Sequence, residues 1–353
     1  MKYLLFLAVL FLCFSCNQPV QDTDPLSQLI SEHDSLRQII EDPSHRVQII
    51  YTQIDRNEEN QPSFKTFTYQ LDTNTYFYPA STVKLPAAVL ALEKLNELNI
   101  PELNAQSTLL TSAATPPQTA VMYDSSSANY LPSIAHYIKK IFLVSDNDAY
   151  NRLFEFLGQL YFNQKLIEKG YTRSRIIHRL SVSGFDTLGN RLSNPIQLLN
   201  GSEVLYQQEE KYGNAYPNWT LKDQIQGKAY TQGDELIEEP FDFTYKNYFS
   251  LHDFHDIIQS VMLPDAVPAK HRFNLTESDY ALLYEYMSKL PRESDYPAYP
   301  DLVDWDDYVK FLLYGSSKKH IPDHIRIYNK VGDAYGYLTD AAYIVDFKNK
   351  VEF

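Results

Sequence analysis

The chain has 353 residues, a formal net charge of −14 at pH 7 and 44% hydrophobic residues. This composition supports a sizeable buried core, arranged as one large domain or as two moderate ones. The acidic balance leaves no basic face for phosphates and therefore argues against a nucleic-acid-binding function. Tyrosine is abundant, with 28 residues, and glycine is scarce, with 11, which favours packed helices and sheet over low-complexity sequence.

The first 16 residues, MKYLLFLAVLFLCFSC, have the composition of a cleavable signal peptide. Lys2 precedes an apolar run of about a dozen residues, which is too short for a comfortable membrane span. The run ends in a sequence that resembles a bacterial lipobox, because the small Ser15 directly precedes Cys16. This resemblance implies cleavage before Cys16, lipid attachment to its thiol and a bacterial envelope location, periplasmic or on the outer membrane. Residues 17–24 would then be a polar tether; an ordinary secretory signal is the alternative.

Both cysteines of the chain, Cys13 and Cys16, belong to this leader. The mature chain therefore has no disulfide, no thiol nucleophile and no thiolate metal site. Its stability must come from the packing of its core.

Hydrophobic periodicity predicts the elements that follow the leader in chain order. Apolar residues at helical spacing predict a helix over residues 25–41, and alternating residues predict strands over 46–56 and 63–71. Further helices are predicted over 81–98, 131–143, 149–170, 250–263, 276–289 and 304–315. The last 30 residues, 324–353, alternate as strands and turns.

This order predicts an α/β (α+β) fold in which strands from both chain ends build one antiparallel sheet flanked by helices. Residues 25–80 and 322–353 form the predicted α/β half. Residues 81–321 form a mainly helical half inserted between them. Within that half, residues 180–249 are polar and lack long periodic segments, which predicts an elaborated loop region.

The stretch YPASTVKLPAAVLALEKL, residues 78–95, places Ser81 and Lys84 one helical turn apart at the start of an apolar helix. Residues i and i+3 share a helix face, so the lysine amine can reach the serine hydroxyl. A serine hydroxyl is a poor nucleophile until a neighbouring base takes its proton. A lysine serves as that base only if burial or nearby positive charge lowers its pKa. The spacing indicates a nucleophile beside its own base; a capping serine followed by a surface lysine is the plainer alternative.

Two further short motifs follow in the chain. Ser145-Asp146-Asn147 lies between two predicted helices, and Lys330-Val331-Gly332 follows a predicted strand. Each has an ordinary structural alternative, since Asp146 and Asn147 could cap a helix and Lys330 could be a solvated strand end. The first and third motifs also recur in polar loops, as SSKK at 316–319 and KYG at 211–213. The order and setting of the three motifs therefore matter more than any single match.

In this order, the three motifs resemble those of the penicillin-recognising serine hydrolases, most closely the class A β-lactamases. The resemblance covers most of the chain from residue 25 onwards, apart from the elaborated region. It implies a hydrolase that is acylated on Ser81, with Lys84 as the base and Lys330 as a source of positive charge. Ser145 would pass a proton to the leaving group.

The resemblance also assigns substrate-binding positions. Asn147 would hold an amide side chain of the substrate. Val331 and Gly332 of the third motif, and Asp333 directly after it, would also bind the substrate. The amides of Ser81 and Asp333 would receive the developing oxyanion. The implied substrate is a small-molecule or peptidoglycan-related amide or ester, with no metal and no cofactor.

Two departures from the class A pattern bear on the substrate. The family hydrolyses its acyl-enzyme with a loop glutamate, but residues 174–195 contain no glutamate and only one carboxylate, Asp186. Val331 replaces a hydroxyl residue that bonds the antibiotic carboxylate, a bond worth about 1–3 kcal/mol, and Asp333 adds a negative charge. A β-lactamase-like hydrolase, a D,D-peptidase or esterase with little lactamase activity, and a non-catalytic binding lipoprotein therefore all remain open.

Two smaller features complete the sequence. Relatives continue beyond the final KNKVEF with a completed strand and a terminal helix, so we expect a truncated C-terminus. His252 and His255 lie one helical turn apart, a spacing that suits a metal pair. No third ligand lies near them in sequence, which favours surface or capping histidines.

Overall fold

The structure is a computed structural model that describes residues 24–214, 220–317 and 319–353. The chain divides into two compact units, one ending at Val47 and one running from Gln48 to Phe353. The leader with Cys16 lies outside the described residues, so its lipidation stays a prediction. Residues 48–353 include most of both halves defined from the sequence.

The first unit contains two helices, α1 (Pro25–Glu32) and α2 (Asp34–Glu41), where the sequence predicts one. His33 separates them, because its backbone is extended (φ −124°, ψ 93°). Its N–H donates to the carbonyl of Ile30 at 3.4 Å and so ends α1. The prediction of one continuous helix is wrong at this residue.

The second unit contains six further α-helices among its described residues. They are α3 (Lys84–Leu98), α4 (Ile134–Val144), α5 (Asn147–Leu157), α6 (Gln159–Glu168), α7 (Leu251–Met262) and α8 (Glu277–Ser288). None of the helices in the described ranges is long and apolar enough to cross a membrane.

Two helix predictions in this unit are wrong, the first for a local reason and the second because of a tertiary contact. The helix predicted over 149–170 is divided into α5 and α6 at Gly158, whose φ of +71° and ψ of 146° leave the helical region. The helix predicted over 304–315 is only a 3-10 turn, Asp306–Val309. Lys310, which follows this turn, directs its amine into the core, where it donates to the carbonyl of Met287 at 2.6 Å.

The main sheet contains the strands β1 (Ile49–Arg56), β2 (Pro62–Tyr69), β14 (Ile325–Ala334), β15 (Tyr337–Asp346) and β16 (Val351–Glu352). It is antiparallel, with the strand order β14-β15-β16-β1-β2, and confirms the predicted fold class. Strands from the two ends of this unit meet where Ile54 pairs with Glu352. The strand β14 lies at one edge, and its Lys330 pairs with Ala341 of β15.

The described residues of the region predicted as an elaborated loop contain short antiparallel strands, which form two-stranded pairs and part of one three-stranded sheet. The strands outside the main sheet are β3 (Thr108–Thr111), β4 (Ser174–Arg175), β5 (Leu192–Ser193), β6 (Ile196–Asn200), β7 (Glu203–Gln208), β8 (Lys211–Tyr212), β9 (Ile225–Gln226), β10 (Tyr230–Gln232), β11 (Glu235–Ile237), β12 (Phe241–Asp242) and β13 (Tyr248–Phe249). Most span two or three residues, which is too short for alternation to be visible in the sequence.

The helix α3 is the centre of the hydrophobic core. Every residue from Leu85 to Leu92 is buried, and the helix packs against α4, α5 and α6. α7 packs against β1 and β15, and α8 packs against β14. Because a helix buried on all sides has no freedom to rotate, its first turn is held in a fixed position beside β14.

Candidate active site

Ser81 lies in a 3-10 turn, Ala80–Val83, that leads directly into α3. The carbonyl of Pro79 accepts hydrogen bonds from the N–H of Thr82 at 3.1 Å and from its Oγ1 at 2.8 Å. Ala80 has a φ of +48°, a left-handed conformation that costs a residue with a Cβ about 1–2 kcal/mol. Ser81 is partly exposed while its neighbours in the turn are buried. The strained turn therefore presents a serine hydroxyl at the surface of a rigid core.

Lys84 is the first residue of α3, and its side chain is fully buried. Its Nζ lies 2.8 Å from Ser81 Oγ, the pair that the sequence spacing predicts. The same amine lies 2.7 Å from Asn147 Oδ1 and 3.2 Å from Ser145 Oγ, and it also contacts the Ser145 carbonyl. Three of its contacts come from the second motif, so this amine joins the first two motifs.

Burial lowers the pKa of Lys84 to about 7, against a smaller opposing effect of the Asp146 carboxylate. The sequence predicts that the charge of Lys330 contributes to a lowered pKa of Lys84; burial is the principal cause of the shift. Near neutral pH a substantial fraction of this amine is unprotonated. An unprotonated amine at hydrogen-bond distance from a hydroxyl can act as its general base.

The second motif is held between two helix ends. Ser145 ends α4 with a φ of +57°, and its N–H donates to the carbonyl of Ile141 at 3.0 Å. Asp146 caps α5, because its Oδ1 accepts from the N–H of Ala149 at 2.8 Å. The helix-capping alternative thus describes Asp146 correctly. Because Asp146 is the cap, Ser145 lies at the end of α4 and Asn147 at the start of α5, directly before and after it.

Lys330 brings the third motif to the same place. Its buried Nζ donates to Ser145 Oγ at 2.8 Å and to the Val331 carbonyl at 2.9 Å. Burial lowers its pKa well below the ordinary lysine value, and the charge of Lys84 adds to this effect. Lys330 is therefore a core residue and not a solvated strand end. Ser81, Lys84, Ser145 and Lys330 form one continuous chain of hydrogen bonds along which a proton can move.

Gly332 allows β14 to lie directly against the serine turn. A Cβ at this position would stand 2.6 Å from the Pro79 carbonyl oxygen and 3.0 Å from the Thr82 and Thr339 methyl groups. Only glycine fits here without displacing the strand or the turn, which explains why the third residue of the motif is a glycine. Val331 is buried beside it, and Asp333 is exposed.

The segment 174–195, which lacks a glutamate, is fastened to α5. The Asn151 amide donates to the Leu180 carbonyl at 2.9 Å and accepts from its N–H at 2.8 Å. Buried Glu155 accepts from Arg179 at 2.9 Å. The lone carboxylate, Asp186, is exposed and accepts from the N–H of Gly189 in its own turn at 2.7 Å. Its hydrogen bond belongs to the loop itself and not to the serine turn.

The histidine pair of the sequence analysis makes ordinary polar contacts. His255 Nε2 lies 2.9 Å from Thr52 Oγ1, and His252 Nδ1 lies 3.3 Å from an Asp256 carboxylate oxygen. No group of three or more metal-ligating side chains occurs within the described ranges.

Sequence reasoning missed a second hydrophobic cluster around the chain that enters the serine turn. Its buried members are Tyr76, Tyr78, Ala80, Leu221, Phe243, Tyr248 and Tyr337. Members from residues 221–248, a region treated as loop from the sequence, thus pack against Tyr76, Tyr78 and Ala80, which precede Ser81. The aromatic run FDFTYKNYF, residues 241–249, is the signal that could have indicated this packing, because five aromatic rings in nine residues are unusual for an exposed loop.

The unit combines an antiparallel sheet from both of its ends, a serine in the turn that leads into a buried helix, and two lysines that contact Ser145. This arrangement is of the serine-hydrolase type. The chain matches the model of a family described as the β-lactamase enzyme family over residues 33–267. The match covers about two thirds of the chain and includes the first two motifs, while the third lies beyond its end. The protein therefore belongs to the β-lactamase enzyme family and is a β-lactamase-like hydrolase.

Several solved structures are similar to the chain at low identity. A β-lactamase from Desulfarculus baarsii DSM 2075 is 14% identical over 89% of this chain and 83% of that chain, with a TM-score of 0.45. A β-lactamase from Chitinophaga pinensis DSM 2588 is 10% identical over 91% and 88%, with a TM-score of 0.43. The β-lactamase from Streptomyces albus G is 12% identical over 91% and 88%, also with a TM-score of 0.43. No curated protein matches the chain.

Proposed function

We propose that the protein is a serine hydrolase of the bacterial cell envelope that forms an acyl-enzyme on Ser81 with β-lactams or related amides and esters. The observation that carries this proposal is the 2.8 Å contact between Lys84 Nζ and Ser81 Oγ. The burial that lowers the pKa of Lys84 to about 7 supports it, because a lysine of ordinary pKa is protonated at neutral pH.

The proposed reaction starts with attack of Ser81 Oγ on the substrate carbonyl carbon while Lys84 Nζ takes the hydroxyl proton. The N–H groups of Ser81 and Asp333 stabilise the resulting oxyanion. When the intermediate collapses, the bond from the carbonyl carbon to the leaving nitrogen or oxygen breaks. The leaving atom receives a proton from Ser145 Oγ, which the Lys84 ammonium replaces. Ser81 is left as an ester, and Lys84 is neutral again.

Release of the acyl group requires water, which must lose a proton as it attacks the ester. A positioned carboxylate would accelerate this step, but residues 174–195 contain only Asp186, whose carboxylate caps its own loop turn. Without such a base, general base catalysis worth about 10²–10⁴-fold is lost. We therefore propose an acyl-enzyme that forms readily and hydrolyses slowly.

A D,D-peptidase or esterase with little lactamase activity is the second candidate. Val331 favours it, because a buried valine replaces the hydroxyl that would bond the antibiotic carboxylate. Such an enzyme acts on peptide or ester substrates in which that carboxylate is placed differently or is absent.

Labelling with a fluorescent penicillin tests the acylation. We expect the purified mature protein to be labelled and the Ser81→Ala variant to remain unlabelled. A Thr66→Ala variant, which removes a hydroxyl from β2, is the matched control and should label normally. Labelling that persists in Ser81→Ala would refute the assignment of the nucleophile.

Turnover of a chromogenic cephalosporin separates the two enzymatic candidates. A burst of one equivalent followed by slow turnover indicates a trapped acyl-enzyme. Rapid steady turnover indicates an efficient lactamase and a base that the proposal lacks. Hydrolysis of a thioester without any burst on the cephalosporin favours the peptidase or esterase. Absence of the burst, of cephalosporin turnover and of thioester hydrolysis favours a binding protein.

The envelope location is part of the proposal and depends on Cys16. We expect the full-length protein in the membrane fraction of an expressing bacterium and the Cys16→Ala variant outside it. Incorporation of a radiolabelled fatty acid into the first protein alone separates a lipid anchor from an uncleaved signal.

A further inference from the structure

The hairpin that follows the third motif carries a strained aromatic residue that packs against Tyr78, three residues before the proposed nucleophile. Tyr335 adopts a φ of +55° at the turn between β14 and β15, and Gly336 follows with a φ of +77°. The Tyr335 ring is about half exposed. It packs edge-on against Tyr78 with centroids 5.1 Å apart and also contacts Phe241 at 5.1 Å. These contacts hold a tyrosine where a turn of this kind normally has glycine or asparagine.

Lys246 lies over the same rings. Its Nζ is 5.4 Å from the centre of the Phe241 ring and 5.8 Å from the centre of the Tyr335 ring. The backbone of Lys246 is fixed, because its N–H donates to the Phe243 carbonyl at 3.0 Å and its carbonyl accepts from buried Arg175 at 3.1 Å. The ammonium is thus held over an aromatic surface by a rigid segment.

The charge of this ammonium has no acidic partner within the described part of the chain. Its pKa is lowered by burial, and no carboxylate acts in the opposite direction. The nearest acidic residue in sequence, Asp242, accepts a hydrogen bond from the N–H of Thr244 at 2.8 Å. A half-buried cation without a counter-charge loses solvation, and an anionic ligand would restore what it loses.

The direction of β14 determines which part of a substrate would meet this cation. Lys330 contacts Ser145, the residue that protonates the leaving group in the proposed reaction. The strand then continues past Gly332 and Asp333 to Tyr335, at about 3.3 Å per residue. Tyr335 therefore lies about 7 Å beyond the proposed oxyanion site, at the end of the motif away from Ser145. In the proposed reaction the leaving group lies beside Ser145, so we assign the acyl portion of the substrate to the opposite end of the motif.

We propose that Lys246, with the rings of Phe241 and Tyr335, forms a subsite for a carboxylate on the acyl portion of the substrate. The proposal rests on the acylation of Ser81 proposed above and names the substrate class, which is acyl donors with an aromatic or apolar side chain that bears a carboxylate. The rings contact the apolar part, and the ammonium pairs with the anion.

Two penicillins that differ by one carboxylate test this subsite. Benzylpenicillin carries a phenylacetyl side chain, and carbenicillin carries the same side chain with an α-carboxylate. We expect the second-order rate constant of Ser81 acylation to favour carbenicillin by about tenfold, as a charge-assisted hydrogen bond provides. The Lys246→Met variant should lose this preference and Lys246→Arg should keep it. Lys228→Met, at an exposed lysine of the same region, is the matched control and should match the wild type.

Equilibrium binding of both penicillins to the Ser81→Ala variant separates this proposal from the proposed function. A carbenicillin preference in binding without any acylation of the wild type would overturn the acylation and support the subsite. Acylation with equal rates for the two penicillins, or a preference that persists in Lys246→Met, would overturn the subsite alone. Absence of binding to Ser81→Ala together with absence of acylation would overturn both. Unfolding midpoints of the variants confirm that each comparison uses folded protein.

Discussion

Replacement of Gly332 by alanine tests whether contact between β14 and the serine turn governs the reaction. The added Cβ would stand 2.6 Å from the Pro79 carbonyl oxygen, and ordinary contact begins at 3.4 Å. The strand and the turn must therefore separate by about 0.8 Å. The atom at 2.6 Å is a backbone carbonyl oxygen, which cannot move away as the end of a flexible side chain could. Overpacking of this kind costs about 1–3 kcal/mol of folding free energy.

The effect on acylation should exceed the effect on stability. Because Ser81 belongs to the turn and Lys330 to the strand, the separation misaligns the two sides of the site. A misplacement of about 1 Å can reduce a rate by about 100-fold. We expect the second-order acylation rate constant of Gly332→Ala to fall by that factor while the protein remains folded at 25 °C.

Stopped-flow acylation with a fluorescent penicillin, combined with urea unfolding, measures both quantities. The matched control is Gly213→Ala, where a Cβ meets its nearest neighbour, the Arg191 carbonyl oxygen, at an ordinary 3.5 Å. Gly332→Ala acylated at the wild-type rate would refute the argument that strand and turn must touch. Loss of rate in both variants would indicate a general effect on folding.

Three further predictions follow from the buried charges. The acylation rate should rise with pH through an apparent pKa of about 7, because Lys84 must lose its proton to act as a base; a flat profile between pH 5 and 9 would exclude that role. Replacement of Glu155 by glutamine should destabilise the fold by about 3–5 kcal/mol in urea unfolding, because Arg152 at 3.1 Å and Arg179 at 2.9 Å lose their buried counter-charge. Burial lowers the pKa of His178 to about 4 from an ordinary 6.5. Its contribution to stability is therefore present above pH 6.5 and lost as pH falls to 4, by about 1.4 kcal/mol per pH unit, and His178→Leu should show a smaller acid loss.

The sequence alone determined the parts of this protein whose information is local. Ser81 and Lys84 share a helix turn because of their spacing, and the alternating chain end became β14 and β15 as predicted. The apolar residues around the first motif likewise placed that helix in the core. These features depend on neighbours within a few residues, which a periodic pattern records directly.

Only the tertiary structure decided how the chemical groups are tuned. The pKa of Lys84 depends on burial by helices that are distant in sequence, and its contacts with the second motif span more than 60 residues. The same holds for Lys246, whose rings come from β12 and from the hairpin tip about 90 residues later. The sequence also did not indicate that the predicted helix over 304–315 is a 3-10 turn followed by a buried Lys310, because a lysine in an amphipathic pattern is normally solvated. Desolvation and charge depend on the whole environment of a side chain, so the sequence indicated the candidate residues while the packing determines their pKa values.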